Sequence, residues 1–382
     1  MKRIAIAGAG FSGAVLARQL AEGGCRVDVF DTRPHVAGNC HTARDERTGI
    51  MLHTYGPHIF HTSNERVWDY IRRFGEFVPF VNRVKAITGG RVFSLPLNLL
   101  TINQFFGRTF SPREAEAFFA GMAEPGAAEP ANFEEQALHL MGPGLYEAFF
   151  KGYTTKQWGM SPTHLPASIL KRLPVRFNYD DNYYASRWQG IPREGYTAVV
   201  QRLLDHPLIT LSLGTRLDRS ATEDYEHTFC SGPIDAWFGY TEGRLGYRTL
   251  DFVREDHEGD YQGNAVVNYG DESVPWTRIS EHKHFAPWES HGRTVVFKEY
   301  SRFCEPADPP YYPIRLADEK AMLTRYIDLA RGEQKVTFVG RLGTYRYIDM
   351  HVTIAEALDA AETFLGCLRE QRTMPAFGVD PG

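Results

Sequence analysis

The sequence predicts an α/β protein in which a parallel-sheet domain is assembled from separated segments, with a small helical domain and an antiparallel β-sheet domain inserted. Residues 4–24 are patterned as strand, glycine turn and amphipathic helix, and residues 336–365 repeat that order near the other end. Between them, helical patterns give way to alternating strand patterns after about residue 177. The length of 382 residues allows two to three domains.

The first strand leads into a glycine motif, GAGFSG, and then into the helix. Gly8 permits the tight turn, Gly10 lets the backbone approach a pyrophosphate, and Gly13 lets helix and strand pack closely. Asp31 ends the next strand, 18 residues after Gly13, near the distance at which an acidic side chain accepts hydrogen bonds from an adenosine ribose. Strand, motif, helix, strand and acid in this order predict a Rossmann-like dinucleotide-binding unit.

FAD and NAD share this unit, and Arg33, two residues after the acid, could also contact a 2′-phosphate. A second glycine turn at Gly38 provides more backbone for a long ligand, and a flavin dinucleotide is longer than NAD at one end. The sequence therefore favours FAD. The cofactor residues expected in this region are Gly8, Gly10, Phe11, Ser12, Gly13, Asp31, Thr32, Gly38 and Asn39.

The composition is that of a globular protein without membrane segments. Hydrophobic residues make up 43% of the chain, but no run approaches ~18 apolar residues and no apolar leader precedes the first strand. The net charge of −5 argues against nucleic-acid and acidic-membrane partners. The five cysteines lack metal-type spacing, so we expect reduced thiols and a cytoplasmic protein; a symmetric homo-oligomer is the default expectation.

His58 and His61 lie in an aromatic, glycine-containing stretch and could be metal ligands. We favour histidines fixed by backbone hydrogen bonds and predict no metal site, because no carboxylate or cysteine cluster accompanies them in the sequence. Spacing alone does not decide whether this stretch lies against a flavin ring.

The middle of the chain contains two stretches whose function is open. Residues 149–159 are rich in aromatic side chains, which could be helix core, but interleaved glycines and lysines favour a base-stacking platform. Residues 161–176 combine prolines with arginines, which suits either a solvated face or a clamp that moves over an anion. Both stretches are candidates for substrate binding.

These patterns predict the domain boundaries. The predicted domains are a Rossmann-like FAD-binding domain from residues 1–80, 195–240 and 330–371; a helical substrate domain from 97–172, with a mobile loop at about 161–176; and an antiparallel sheet domain from 81–96, 173–194 and 241–329. Residues 372–382, rich in proline and glycine, are expected to be disordered.

Six segments, in one order across nearly the whole chain, resemble those of the bacterial UDP-galactopyranose mutases. They are residues 55–62, 151–159, 171–177, 262–268, 277–285 and 340–350. Two positions depart from the family pattern: Ala37 replaces a usual glycine and Pro57 a frequent alanine. Neither position touches the arginines discussed below, so the resemblance stands.

The resemblance implies an FAD enzyme that interconverts UDP-galactopyranose and UDP-galactofuranose, active only with reduced flavin although there is no net redox change. N5 of the flavin attacks the anomeric carbon and displaces UDP, and a flavin-iminium intermediate allows the sugar ring to open and reclose. An unidentified reductant must supply the reduced flavin. The alternatives are a redox FAD oxidase or desaturase of the amine-oxidase type and a nucleotide-sugar-binding protein without catalysis.

The resemblance also implies roles for individual residues. Arg172 and Arg278 would be catalytic, because two guanidinium groups stabilise a leaving diphosphate. The implied substrate residues are Asn82, Phe149, Phe150, Tyr153, Thr154, Trp158, Arg172, Tyr183, Asn268, Arg278, Glu299, Tyr312 and Tyr347. The implied flavin residues are His58, Ile59, Phe60 and His61 by the ring, and Arg341, Ile348, Asp349 and Met350 by the ribityl and phosphate portion.

Overall fold

The structure, a computed structural model, describes residues 1–122, 129–172 and 175–382, without the side chains of Ser168, Lys171, Arg172 and Ala317. Its strands are β1 (Arg3–Ala7), β2 (Arg26–Asp31), β3 (Thr42–Arg44), β4 (Met51–His53), β5 (Phe60–Thr62), β6 (Phe77–Pro79), β7 (Val84–Thr88), β8 (Arg91–Leu95), β9 (Trp188–Pro192), β10 (Ile209–Leu213), β11 (His227–Cys230), β12 (Tyr247–Glu258), β13 (Val266–Tyr269), β14 (Arg278–Glu281), β15 (Arg293–Phe303), β16 (Tyr312–Pro313) and β17 (Val336–Phe338).

Its α-helices are α1 (Phe11–Glu22), α2 (Glu65–Ile71), α3 (Leu99–Phe106), α4 (Pro112–Ala120), α5 (Phe133–Leu145), α6 (Gly152–Trp158), α7 (Gly195–Leu204), α8 (Ile234–Trp237), α9 (Ala317–Gly332), α10 (Gly340–Gly343) and α11 (Met350–Glu370). A π-helical turn, Tyr146–Lys151, joins α5 to α6. Within the described ranges, no helix is both long and apolar enough to cross a bilayer.

A five-stranded parallel sheet in the order β10-β2-β1-β11-β17 forms the dinucleotide-binding part. Ile4 and Ile6 of β1 are fully buried in a cluster with α1 and α11, whereas Ala5 belongs to a different cluster. Because side chains alternate along a strand, the sheet is covered on both faces, as parallel sheets require. All five strands lie within the segments 1–80, 195–240 and 330–371. This sheet is consistent with the predicted division into domains, which stays a prediction.

The C-terminal residues differ from the expectation of disorder. The backbone N–H of Phe338 donates to the carbonyl of Ala376 (2.8 Å), the Thr337 hydroxyl donates to the carbonyl of Pro375 (2.7 Å), and Met374 is buried. β17 is the edge strand of the sheet, and its outer backbone groups need partners. The C-terminal tail supplies these partners. The proline and glycine content of a segment does not predict such a contact with a distant strand.

A second sheet of seven strands has the order β16-β12-β15-β14-β13-β7-β8. It is mixed rather than antiparallel as predicted, because β13 pairs with β7 in parallel, with Val267 opposite Lys85. The long excursion between these strands makes the parallel pairing possible. Arg278 of β14 lies between Asn268 of β13 and Glu299 of β15 in the register of this sheet.

Two further segments do not follow the predicted sheet domain. Residues 188–192 form β9, which pairs with β5 and β6 in a separate three-stranded sheet. Residues 317–332 form α9, whose Leu323 and Tyr326 are buried in a cluster with Phe338 of the first sheet. The placement of both segments depends on which surface their apolar face covers. Local hydrophobic patterns do not specify that surface.

The helical part is held by an aromatic core. Phe93 of β8 contacts Phe149 edge-on at 5.1 Å, and Phe133 is buried in the same cluster. α5 is interrupted at Gly142, whose φ of +71° lies in the left-handed region. The π-helical turn that follows carries Phe149 and Phe150, and such turns often occur at functional sites.

Three buried histidines make the fold sensitive to acid. Burial lowers the pKa of His227 to about 4 and of His282 to about 3, and that of His53 well below its usual value of 6.5. The unfolded chain therefore binds protons near pH 6.5, while the folded chain does not until the pH is much lower. We expect the free energy of unfolding to fall by about 1 kcal/mol per histidine on going from about pH 7.5 to about pH 5.5.

Urea unfolding at the two pH values measures this loss. His227→Gln should weaken the pH dependence, because it removes one of the buried groups whose pKa differs between the folded and unfolded chain. An unfolding midpoint that does not move between the two pH values would contradict the prediction.

Candidate active site

The glycine turn after β1 leaves backbone open to a ligand. Gly8 has a φ of +113° and donates its N–H to the carbonyl of Phe30 (2.7 Å). A Cβ on Gly13 would lie 1.9 Å from the Gly8 carbonyl oxygen, so α1 packs here only because Gly13 has no side chain. A Cβ on Gly10 would meet only the Cα of Gly38, at 4.0 Å. The two glycine turns thus approach each other closely, with no side chain between them.

Asp31 closes this turn from the end of β2. Its carboxylate accepts hydrogen bonds from the backbone N–H of Ala9 (2.8 Å) and of Arg33 (2.9 Å). The Arg33 guanidinium donates to Asn39 Oδ1 (2.8 Å) and lies 4.6 Å from the centre of the Tyr55 ring. Thr32, between them, is exposed.

Unsatisfied polar atoms around the turn fit a bound FAD. Among the described residues, the buried Ser12 Oγ and Arg33 Nη1 have no hydrogen-bond partner. Gly10 begins α1 without a capping side chain, which leaves the positive helix end for an anion. Ser12 also lies beside the start of α10, since a Cβ on Gly340 would be 2.6 Å from its hydroxyl. The first and last segments therefore meet at one dinucleotide site.

Three of the predicted cofactor residues are core side chains. Phe11 contacts Tyr196 edge-on at 6.2 Å, Ile59 is 5% exposed, and Phe60 is fully buried. Their side chains therefore pack into the protein core.

His58 is held by backbone. Its Nδ1 donates to the carbonyl of Gly56 (2.8 Å), and its own N–H donates to His53 Nδ1 (3.2 Å). Burial lowers the pKa of His58 to about 4, so the imidazole is neutral near pH 7. This arrangement agrees with the histidine fixed by backbone that the sequence favoured.

His61 has a different environment. Its ring stacks on Tyr184 at 3.8 Å and its Nδ1 hydrogen-bonds the Ser186 hydroxyl (3.0 Å). Asp349 and His351 place ligand-type atoms within 4.8 Å of it and of each other. A carboxylate therefore accompanies this histidine in the fold although none lies near it in the sequence, because the partners come from almost the other end of the chain; the absence of a metal site stays a prediction. Burial lowers the pKa of His61 to about 4, although Asp349 opposes the shift.

Arg341 connects the start of α10 to the start of α11. It donates to the carbonyl of Ile348 (2.7 Å from Nη2) and to that of Tyr311 (3.3 Å from Nη1), and its guanidinium lies 4.9 Å from the centre of the Tyr347 ring. Asp349 is the N-cap of α11, and Met350 is the first residue of that helix. This places the predicted ribityl and phosphate residues in one group.

An enclosed cavity of about 120 Å³ lies between the helical part and the mixed sheet. Seven predicted substrate residues line it: Phe149, Phe150, Tyr153, Thr154, Trp158, Tyr183 and Asn268. The π-helical turn and α6 supply five of these seven, and Asn268 comes from the end of β13. The wall is mostly apolar, with several aromatic rings and a few polar groups, as in small-molecule sites generally.

Arg278 stands beside this cavity, paired with Glu299. Its Nε donates to Glu299 Oε2 (2.7 Å); the Arg278 side chain is 22% exposed and that of Glu299 is 2% exposed. Burial disfavours the charged guanidinium, but Glu299 together with the neighbouring tyrosines outweighs burial, and the pKa of Arg278 rises above its usual value. Tyr153 and Tyr312 also interact electrostatically with Arg278. The guanidinium is therefore a permanent cation among phenol groups.

The tyrosines form a continuous lining around Arg278. The Tyr312 and Tyr347 rings meet edge-on at 5.3 Å, and Tyr183 is coupled electrostatically to both Tyr347 and Arg278. Burial raises the pKa of Tyr153, Tyr183 and Tyr312, so these hydroxyls stay protonated and can donate hydrogen bonds.

Asn82 reaches the same region from the loop before β7. Its backbone carbonyl accepts from the N–H of Tyr183 (2.9 Å), and its side chain is buried, with Oδ1 lacking a partner among the described residues. The other predicted arginine, Arg172, ends a short 3₁₀ segment, and its side chain lies outside the described residues.

Comparison with known proteins decides the family. A family model described as UDP-galactopyranose mutase matches residues 148–347, and one described as an NAD(P)-binding Rossmann-like domain matches residues 6–74. The chain is 57% identical to a probable UDP-galactopyranose mutase from Klebsiella pneumoniae, over 99% of this chain and 98% of that protein. This chain belongs to the UDP-galactopyranose mutase family.

Other relatives bear on the substrate and the fold. A dTDP-fucopyranose mutase from Escherichia coli is 49% identical over 96% of this chain and 99% of that protein. A crystal structure of reduced UDP-galactopyranose mutase superimposes with a TM-score of 0.75 at 15% identity, covering 96% of each chain. A putative protoporphyrinogen oxidase from Exiguobacterium follows at 0.65 and 13% identity, covering 97% and 99% of the two chains, a likeness of fold alone.

As a member of the UDP-galactopyranose mutase family, this protein is an isomerase that uses FAD. The residues described above fit that cofactor. The sequence reasoning missed several residues of the site, among them Phe133, Gln157 and Ile169 in the cavity and Tyr184 and His351 around His61. Gln157 lies inside a recognised segment, but the others carry no distinguishing local pattern.

Proposed function

We propose that this protein interconverts UDP-galactopyranose and UDP-galactofuranose with FAD in its reduced form. The observation that carries the proposal is a buried, permanently charged arginine, Arg278, beside an aromatic cavity. A redox flavoenzyme acting on an amine or a lipid has no need for a cation at that position. Family membership supports the same choice.

The cavity suits the uridine end of the substrate. Phe149, Phe150 and Trp158 offer apolar ring surface for the base, and Thr154 and Asn268 offer hydrogen-bonding groups at its edge. Asn82, whose side-chain oxygen lacks a partner among the described residues, would bind a hydroxyl group of the substrate.

Arg278 would bind the diphosphate. As the bond between the anomeric carbon and the diphosphate breaks, negative charge grows on the leaving oxygen, and a fixed cation stabilises it. Glu299 holds the guanidinium through Nε, which leaves both terminal nitrogens for phosphate. Tyr183, Tyr312 and Tyr347 would add hydroxyl hydrogen bonds, and Arg172 the second cation, on the strength of the sequence resemblance.

The cofactor would supply the nucleophile that keeps the anomeric carbon bound while the sugar ring opens and recloses. Gly10, Ser12 and Gly38 would hold its pyrophosphate, and Arg341 would order the loop beside its ribityl chain. His58 and His61, both neutral near pH 7, would provide a flat surface without adding charge next to the ring.

Conversion of UDP-galactofuranose by the purified holoenzyme tests the proposal. Chromatography of the nucleotide sugars, with and without dithionite, should show UDP-galactopyranose only in the reduced sample. No conversion in either sample from a protein with a flavin spectrum would overturn the mutase and favour the redox flavoenzyme. UDP binding without product in the reduced sample would favour a nucleotide-sugar-binding protein.

A second candidate substrate is dTDP-fucopyranose, because the Escherichia coli relative with that name is 49% identical. The two substrates differ in a base methyl group, the ribose 2′-hydroxyl and the sugar 6-hydroxyl. We expect kcat/KM for UDP-galactofuranose to exceed that for dTDP-fucofuranose about tenfold or more, because hydrogen bonds to hydroxyl groups are discriminating. Competition between the two in one reaction measures the ratio, and a ratio below one would reassign the substrate.

We further propose that the protein works in the cytoplasm as a homo-oligomer, that a separate reductant keeps its flavin reduced, and that its product serves cell-wall polysaccharide synthesis. No metal ion, nucleic acid or membrane is part of this proposal. Reduction of the bound flavin by candidate cellular reductants under anaerobic conditions, followed at its visible absorbance, tests the second point.

A further inference from the structure

Lys156 has an environment unlike that of an ordinary surface lysine. Its Nζ lies 2.8 Å from the carbonyl oxygen of Tyr269, 2.9 Å from that of Asp271, 3.0 Å from that of Val274 and 3.1 Å from that of Trp276. An ammonium group has three protons, so four carbonyls surround it much as they would surround a bare cation. The side chain is half-buried.

The four carbonyls belong to one short loop, residues 269–276, which connects β13 to β14. The carboxylate of Asp271, which lies in the same loop, does not pair directly with the ammonium group. It accepts hydrogen bonds instead from the Thr88 hydroxyl (3.0 Å) and the Gly89 N–H (3.0 Å). The loop's own backbone bonds are few: the N–H of Val274 donates to the carbonyl of Asp271 (3.2 Å), and the N–H of Tyr269 donates to the carbonyl of Thr277 (2.9 Å). The ammonium therefore adds a bonding centre for the carbonyls of this loop.

The loop and the lysine connect two halves of the candidate site. Lys156 lies on α6 together with Tyr153 and Trp158 of the cavity wall, and the loop ends two residues before Arg278. The loop also packs closely against the start of α6, because a Cβ on Gly152, the first residue of that helix, would lie 2.2 Å from the Gly270 carbonyl oxygen. The distance between the base cavity and the arginine thus depends on how this loop sits on α6.

Charging this lysine is costly, which argues that the charge is retained for a purpose. Burial lowers the pKa of Lys156 to about 8, although Asp271 and Glu272 oppose the shift. An apolar residue would avoid that cost but would remove the ammonium donor from all four carbonyls, of which that of Asp271 also accepts from the backbone N–H of Val274 (3.2 Å).

We propose that Lys156 is a positioning residue whose ammonium acts as an internal cation, fixing the loop 269–276 on α6 and so setting Arg278 at the correct distance from the nucleotide-binding cavity. The proposal rests on the proposed function, since it assigns that cavity to UDP. A cavity left by the side chain could accept a small cation in its place.

Titration of the holoenzyme with UDP tests the proposal. Lys156→Ala should raise the Kd for UDP and the KM for UDP-galactofuranose about tenfold. Ammonium or potassium chloride should restore a large part of this loss, whereas tetramethylammonium chloride at equal ionic strength should not. Lys151→Ala is the matched control, because Lys151 precedes α6 and its ammonium pairs with Glu147 on the surface (2.9 Å). It should bind UDP as the wild type does.

A Kd in Lys156→Ala within twofold of wild type, or a loss that ammonium and tetramethylammonium affect equally, overturns the proposal. If Lys156→Ala does not fold with its flavin, Lys156→Gln replaces it, and UDP affinity in that variant within twofold of wild type has the same meaning. Failure of the proposed function is a separate result that the wild-type protein shows: it would then either not bind UDP or bind it without converting UDP-galactofuranose.

Discussion

Arg278→Ala is expected to abolish measurable turnover while the protein keeps its yellow FAD. The guanidinium is a largely buried cation beside the cavity, and removing one such donor from a developing charge typically costs about 10²–10³-fold in kcat. The cofactor should remain, because the glycine turns that would hold it lie on the other sheet. The rate of conversion of UDP-galactofuranose with dithionite and the flavin absorbance are the two measurements.

The truncation also leaves Glu299 buried without its partner, so a control must separate chemistry from folding. Arg278→Lys retains the charge but loses the planar fork, and should keep the fold with a smaller loss of rate. Glu299→Gln alone should raise KM by misorienting Arg278. Loss of FAD from Arg278→Lys would mean that the arginine belongs to the cofactor site. Arg172→Ala should reduce turnover similarly, if the second arginine acts on the same diphosphate.

Gly13→Val is expected to yield protein without flavin, or no folded protein. Its Cβ would lie 1.9 Å from the Gly8 carbonyl oxygen and 3.1 Å from an Ile6 methyl group, and neither β1 nor the turn can move without opening the sheet. Displacing α1 also displaces Ser12 and the helix end that would receive the pyrophosphate. The flavin-to-protein absorbance ratio after purification and the thermal unfolding midpoint measure the effect.

Gly292→Ala is the matched control, because a Cβ there has no atom within 4 Å and the residue has no left-handed φ. It should retain full flavin content and an unchanged midpoint. Stoichiometric FAD in Gly13→Val would show that the turn does not hold the cofactor as described.

Local chemistry explains what could be predicted. The glycine motif, the second glycine turn at Gly38 and the acid at Asp31 are short-range features, since a turn, a cap or a strand end needs only a few neighbouring residues. The cavity wall from Phe149 to Trp158 was also visible, because rings and glycines alternate within one stretch. The prediction for Arg278 came from family resemblance, as no local pattern distinguishes it from other arginines in strands.

By itself, the sequence predicted the parallel-sheet domain and favoured FAD, because these depend on residue types at fixed local spacing, and its resemblance to known sequences indicated the family. Only the tertiary structure decided the parallel pairing of β7 with β13, the docking of the C-terminal tail on β17, and the meeting of His61 with Asp349. It alone also decided the carbonyl ring around Lys156. The physical reason is common to all four. They join groups far apart in the chain, and three of them involve backbone N–H and C=O groups, which nearly every residue carries and no sequence pattern marks.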